Sequence, residues 1–289
     1  MARIVQKRTK RTQKFAYILK PFVVYMLVKT AVMLVLAILI PSLPIAGIAA
    51  WVEHNAPQLS AVVNAAASMA AAAFLLKDFL IEVSTTGEID IDQNVFRQFA
   101  GFLRHGFWGE RKAGNAVSLI LCALLGITAS FALNILVELT MLRSEKYETV
   151  EAIQYSVPVW LGILLYGIIS PMVEEMVFRG IIFNRTRKFF GVVKAAVFSA
   201  LLFGFFHGNL LQFLYGTAMG MLMAVCYECC GCFAAPVLLH MSANLFVFLM
   251  STQPWTMLLI TPVWCVVFMA LSVAAMVLII TARERLENK

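Results

Sequence analysis

The stretch VPVWLGILLYGIISPMVEEMVFR, residues 157–179, holds an apolar run that ends in Glu174, Glu175 and Arg179. Val157 to Pro171 carries no charge, and three charges then follow within six residues, Glu174 to Arg179. Burying a charge at membrane depth costs about 2.5–3.5 kcal/mol even on insertion scales. Either the segment has left the membrane by Glu174, or the charges have work to do inside a helix bundle. The rest of the chain separates these two readings.

Composition fixes the surroundings. Of 289 residues, 61% are hydrophobic and 13% charged, and the mean hydropathy is +0.85. Soluble domains carry about 25% charged residues. The chain therefore reads as an all-α, polytopic transmembrane helix bundle rather than a soluble domain. Eight spans are expected, near 21–40, 59–76, 116–138, 157–177, 195–211, 213–230, 234–250 and 257–280, each close to the roughly 20 apolar residues a crossing needs. Gly208-Asn209 and Gly231 mark tight turns between them. The run 21–40 is too long for the core of a signal peptide and reads as a retained first span.

Lys and Arg placement gives an orientation. Seven fall in 1–20, five in 77–115, five in 179–194 and three in 281–289, all on one side of the expected topology. Arg143 and Lys146 fall on the other side, and Lys29 lies within the first span. The positive-inside rule then puts both termini in the cytoplasm, in a membrane of the bacterial cytoplasmic type. The basic N-terminus reads as a contact for anionic headgroups, so membrane lipid is an expected partner and nucleic acid is not. The six cysteines, at 122, 226, 229, 230, 232 and 265, lie in or beside apolar runs and build no secreted disulfide framework. Cys226, Cys229, Cys230 and Cys232 read as packing residues, with metal binding or palmitoylation as alternatives.

The long polar connection 77–115 holds Asp78, Glu82, Glu88, Asp90 and Asp92. Phe96, Phe99, Phe102, Leu103, Phe107 and Trp108 follow at spacings of three and four, as in an amphipathic helix on the membrane surface. His105 in this segment and His54 in the first outer loop read as interfacial histidines. Gly216 and Gly220 suggest a close helix contact.

Two later spans also carry polar groups. Phe203 and His207 stand in the fifth, His240 and Asn244 in the seventh. On a helix Glu175 and Arg179 share a face and can pair. Glu174 is turned about 100° from Glu175 and is free to point into the bundle. Glu174 and His207 could then hold and deprotonate a water, with His240 and Asn244 donating to an oxyanion. The same Glu174, His207 and His240 could instead ligate a catalytic zinc, with Glu175 as the base. Straight helices would leave these groups at different depths. A broken or tilted helix is expected, with Gly162, Gly167 and Ser170-Pro171 as kink sites and Gly191 as an oblique entry, around a water-filled cavity reached from the cytoplasmic side.

At these residues the chain resembles the CPBP family of CAAX prenyl proteases and bacteriocin-processing enzymes, also called the Abi family. Its pattern is matched by Glu174-Glu175-x-x-x-Arg179, Phe203-x-x-x-His207 and His240-x-x-x-Asn244. The resemblance covers about 157–250 and implies an intramembrane endopeptidase of the type II CAAX kind. The first glutamate and first histidine would activate water, and the second histidine and the asparagine would bind the oxyanion. Glu175, Arg179 and Phe203 would support them. The resemblance leaves the metal question open, so zinc is neither assigned nor excluded. It divides the chain into an N-terminal membrane region, 1–156, a catalytic core, 157–250, and a final span with tail, 251–289. The expected partner is a membrane-associated, CAAX-like protein or peptide. Two other readings compete: a proton-coupled transporter, since Glu, His and Arg also build proton relays, and a non-catalytic immunity or scaffold protein. No internal repeat favours the transporter.

Overall fold

The computed structural model describes residues 2–83, 94–108, 115–140, 145–251 and 253–287. Glu88, Asp90, Asp92 and Arg143 lie outside them, and of the side chains of Arg3, Lys7, Arg8, Lys10, Arg11, His105 and Lys146 nothing is described. Among the described residues every regular element is a helix.

We number the helices α1 (Ala2–Leu39), α2 (Ile48–His54), α3 (Ala56–Val83), α4 (Val95–Gly101), α5 (Asn115–Thr140) and α6 (Glu145–Tyr155). Next come α7 (Val159–Phe190), α8 (Val192–Phe206), α9 (Leu210–Cys230), α10 (Ala234–Ser251) and α11 (Pro262–Glu287). Seven of these are long and apolar enough to cross a membrane, namely α1, α3, α5, α7, α9, α10 and α11. The eighth expected span, 195–211, is the 15-residue α8, which at about 1.5 Å per residue reaches roughly 22 Å, short of a 30 Å hydrocarbon core. Helices α1 and α3 pair, α8 lies along α9, and α5 packs against both α10 and α11.

Two expected boundaries move. The second span was read as 59–76, but α3 continues to Val83 and carries Asp78 and Glu82 with it. The fourth was read as ending at 177, with 179–194 as a cytoplasmic loop. Instead α7 runs on to Phe190, and Arg179, Asn184, Arg185 and Thr186 are all buried. The helix does not emerge into water at the glutamate pair. A span ends in sequence where charge begins, whereas here Arg179 is neutralised by Glu175 one turn back on α7 and Arg185 by Asp78 and Glu82 on α3.

Helix α7 is bent from within. Two stretches, Ile163–Ile169 and Met176–Phe183, are wound as π-helix on either side of the turn Ser170–Glu175. Pro171 has no N–H to offer the carbonyl one turn back, and the ladder before it widens. The second widening begins directly after Glu175, so the pair sits where the helical register changes. Helix α7 ends at Gly191, whose φ of 80° and ψ of 173° break the helix before α8. Gly208, at φ 74°, breaks it again after His207, and the Asn209 side chain then caps α9 by accepting from Gln212 N at 2.8 Å. The broken path expected from the depth argument is thus built from Gly191 and Gly208. Gly162 and Gly167 do not break the helix. A Cβ at either would collide with Phe248 or Leu245, so they let α10 approach.

The amphipathic reading of 95–108 is present in part. Helix α4 begins at Val95, capped by the Asn94 side chain at 2.9 Å, and continues as a π turn to Gly106. Phe96 and Trp108 are exposed, while Phe102 and Phe107 pack edge-on against Phe233 and Phe102 also against Phe79. His54 is exposed.

Candidate active site

Glu174, His207, His240 and Asn244 all line one cavity of about 620 Å³. They arrive from α7, the break after α8, and α10. Helical winding turns Glu174 and Glu175 to different neighbours, as the sequence reading anticipated.

Glu175 is fully buried and takes Arg179 Nη1 at 2.7 Å on Oε1. Arg179 is also fully buried. Its Nη2 donates to Gly220 O at 3.1 Å, and its guanidinium carbon lies 4.7 Å from the Phe203 ring centre. Gly220 is essential to this arrangement. A Cβ there would lie 3.0 Å from Ala200 Cα and 3.1 Å from Arg179 Nη2. The Gly216/Gly220 pair therefore serves the close α8–α9 approach that its spacing suggests, and it also gives Arg179 a carbonyl to reach.

Glu175 has a second partner that sequence reasoning missed. His240 Nδ1 lies 2.9 Å from the same Oε1. A carboxylate oxygen accepts, so Nδ1 carries the proton and donates. Its other nitrogen, Nε2, then faces Glu174 Oε2 at 3.8 Å, too long for a direct hydrogen bond. His240 stands between the two glutamates, held by one and presented to the other. No sequence signal could have found this link, because residues 175 and 240 meet only through the packing of α7 on α10.

Glu174 has Ser170 for a partner, one turn back on α7, whose Oγ donates to Oε1 at 2.5 Å. Among the described residues no Lys or Arg nitrogen lies within ion-pair distance of it, and Oε2 is left open to the cavity side. His207 Nδ1 is 2.8 Å from Phe203 O. A carbonyl only accepts, so this proton sits on Nδ1 and Nε2 is the nitrogen able to accept. Phe203 is wedged in the centre, edge-on to His207 at 5.0 Å and to His240 at 5.4 Å. One ring thus spaces both imidazoles and the guanidinium. Asn244 Nδ2 donates to Tyr166 O at 3.1 Å, in the first π stretch of α7, which leaves its second N–H free by valence.

A metal fits this geometry poorly. Among the described residues no group of three His, Cys, Asp or Glu side chains is placed to hold an ion. That applies to Glu174, His207 and His240, and to the cysteines near the end of α9. Cys122 and Cys230 have their sulfurs 3.7 Å apart, as free thiols. Cys232, in the turn before α10, is buried, and burial pushes its thiol up to about 11.

A second ionic cluster lies further along α7. Arg185 donates to Glu82 Oε1 at 3.0 Å and pairs with Asp78. Lys188 Nζ reaches Glu82 Oε2 at 2.6 Å, and the Tyr17 hydroxyl donates to Glu82 Oε1 at 2.6 Å. The spacings, Asp78 to Glu82 and Arg185 to Lys188, are those of neighbours on a helix face, the one hint the sequence carried.

Residues 156–246 match the family model described as type II CAAX prenyl endopeptidase Rce1-like. The curated protein "Putative membrane peptidase YdiL" of Bacillus subtilis (strain 168) is 32% identical over 111 residues, which are 38% of this chain and 45% of that protein. The matched part is thus under half the length of that relative. No solved structure matches the chain. The family match lies on the segment that carries all seven candidate site residues, and the seven long apolar helices fit a multi-pass membrane protein.

Proposed function

We propose that this protein is an intramembrane endopeptidase that hydrolyses a peptide bond in a membrane-associated protein or peptide. Glu174 and His207 activate the water; His240 and Asn244 stabilise the oxyanion. One observation carries the reading. Among the described residues Glu174 is the sole carboxylate lining a cavity shared with both histidines and Asn244, and no Lys or Arg nitrogen lies within ion-pair distance of it.

The chemistry follows from the partners. A water held by Glu174 Oε2 and His207 Nε2 gives its proton to Glu174 as its oxygen attacks the scissile carbonyl. The carbonyl oxygen becomes an oxyanion; the second N–H of Asn244 donates to it, and so does His240 from Nε2 when the ring is protonated on both nitrogens, with Nδ1–H kept on Glu175. Glu174 then delivers the proton to the departing nitrogen, which restores the carboxylate. Glu175 acts through His240 and Arg179, fixing the ring orientation and neutralising its own charge. A donor to the oxyanion is worth about 10²–10³ in rate, and general acid–base action about 10²–10⁴. No step is routed through a metal.

The test uses the full chain purified into lipid nanodiscs and a peptide library read by mass spectrometry. Cleavage by the native protein, lost in Glu174→Gln and in His207→Ala, is the expected result. Cleavage indifferent to both substitutions would refute the mechanism. A chelator that abolishes activity, with restoration by zinc, would replace the water-activating carboxylate with a metal centre.

A further inference from the structure

The cavity has a wall from outside the family-matched segment. Met26, Lys29, Thr30 and Met33 of α1 line it. Their spacing of three, four and seven residues is one helix face, so α1 turns a continuous stripe toward the site. Among the described residues Lys29 is the sole Lys or Arg on the cavity lining, as Glu174 is the sole carboxylate.

Lys29 is an unusual residue to find there. It lies within the apolar span Thr12–Leu39, roughly 15 Å from the Leu39 end at 1.5 Å per residue. Among the described residues no carboxylate lies within ion-pair distance of it. Its ammonium rests 4.6 Å from the Phe206 ring centre and 5.9 Å from that of Tyr25. Phe206 precedes His207, and their rings are 5.5 Å apart. The charge is therefore turned toward the His207 turn and does not run along the helix to the headgroups. Cation–π contacts return less than a lysine costs at this depth. Glu174 across the same cavity attracts the ammonium from beyond ion-pair distance, and a charge kept in a span at that cost, with no direct ion pair and facing a cavity, is a functional-site candidate by default.

We infer that Lys29 is a specificity residue that anchors a carboxylate of the peptide substrate, at its C-terminus or on an acidic side chain, beside the water-activating pair. The inference rests on the proteolytic reading for its ligand class. It assigns substrate selection to α1, while the residues proposed for catalysis lie on α7, in the break after α8 and on α10. An ammonium supplies three donors as a compact point charge, and charge-assisted hydrogen bonds are roughly twice as strong as neutral ones. Selection on the order of tenfold is the expected scale.

The experiment reads binding apart from turnover. The full chain carrying Glu174→Gln is placed in phosphatidylcholine nanodiscs, which contain no anionic lipid. Pools of random hexapeptides, labelled with an uncharged dye, are titrated as free acids, as C-terminal amides, and as amides with one fixed internal Glu. A pool bearing the preferred carboxylate binds about tenfold tighter than the plain amides. Adding Lys29→Gln removes that difference, and Lys29→Arg keeps it. Equal binding of all three pools, no binding at all, or a preference that survives Lys29→Gln overturns the inference. The native-sequence protein separates this from the protease reading. Cleavage that ignores Lys29 sinks the anchor alone. Carboxylate binding that depends on Lys29, without any cleavage, sinks the protease alone. Where cleavage occurs, Lys29→Gln raises KM for the preferred pool and leaves kcat nearly unchanged, which a merely structural role would not produce.

Discussion

Helix α7 carries two buried ionic clusters six residues apart, one at Arg179 and one at Arg185, and they have opposite characters. At Arg185 every charge has an answer: Glu82 accepts from Arg185, Lys188 and Tyr17, and Asp78 pairs with Arg185. None of these side chains lines the cavity. At Arg179 only one of two adjacent glutamates is neutralised. Glu175 is held by Arg179 and His240, and Glu174 is left with a serine and an open oxygen on a 620 Å³ cavity. Both clusters are built on an arginine of α7 bound by glutamate. What distinguishes the candidate site from the staple at Arg185 is a carboxylate, Glu174, with no Lys or Arg at ion-pair distance among the described residues, set on a cavity that a ligand can enter.

Four substitutions break or sharpen this contrast. Glu174→Gln has the largest effect, about 10²–10⁴ in peptide cleavage rate, with thermal unfolding in nanodiscs little changed, because no ion pair is lost. Glu82→Gln does the reverse. It leaves Arg185 with a single carboxylate, Asp78, and breaking a buried pair costs about 3–5 kcal/mol. Unfolding temperature should fall sharply while kcat of the surviving folded fraction stays near native. If Glu82→Gln instead abolished kcat in folded protein, the staple would belong to the site. Asn244→Ala removes one of the two proposed oxyanion donors and should lower kcat by about 10²–10³, measured with the same peptides.

The fourth, Gly220→Ala, places a Cβ 3.0 Å from Ala200 Cα and 3.1 Å from Arg179 Nη2. Overpacking of this kind costs about 1–3 kcal/mol. It should lower both stability and activity, because Arg179 and the Glu175–His240 link move together; an activity loss without a stability loss would uncouple them. Smallest of all is the response of Cys232. With its thiol pushed up to about 11 by burial, the group stays protonated at neutral pH. The thiolate is the reactive form, so alkylation in the native protein should remain slow below about pH 9. Rapid labelling at pH 7 would show the turn before α10 to be open.

Much of the site was legible beforehand. Glu174, Glu175, Arg179, Phe203, His207, His240 and Asn244 stand out because charge and imidazole are expensive in apolar runs, and a 3.6-residue period separates the free glutamate from the paired one. Gly191 was legible as a break because the depths of the three helices would not otherwise agree. The ends of α3 and α7 were not. A span ends in sequence where charge begins, but Asp78 and Glu82 of α3 neutralise Arg185 of α7 across the helices, and Glu175 neutralises Arg179 within α7.

Sequence by itself therefore determined the class of molecule, an all-helical membrane protein, and the identity of its expensive residues, since both follow from the cost of each group in lipid. Tertiary structure alone decided who answers whom. His240 lands on Glu175 and leaves Glu174 open, Arg185 lands on Asp78 and Glu82, and the unmatched α1 brings Lys29 into the cavity. These pairings depend on which helix faces pack together, and a one-dimensional pattern of polarity is the same for a charge that is paired and one that is waiting.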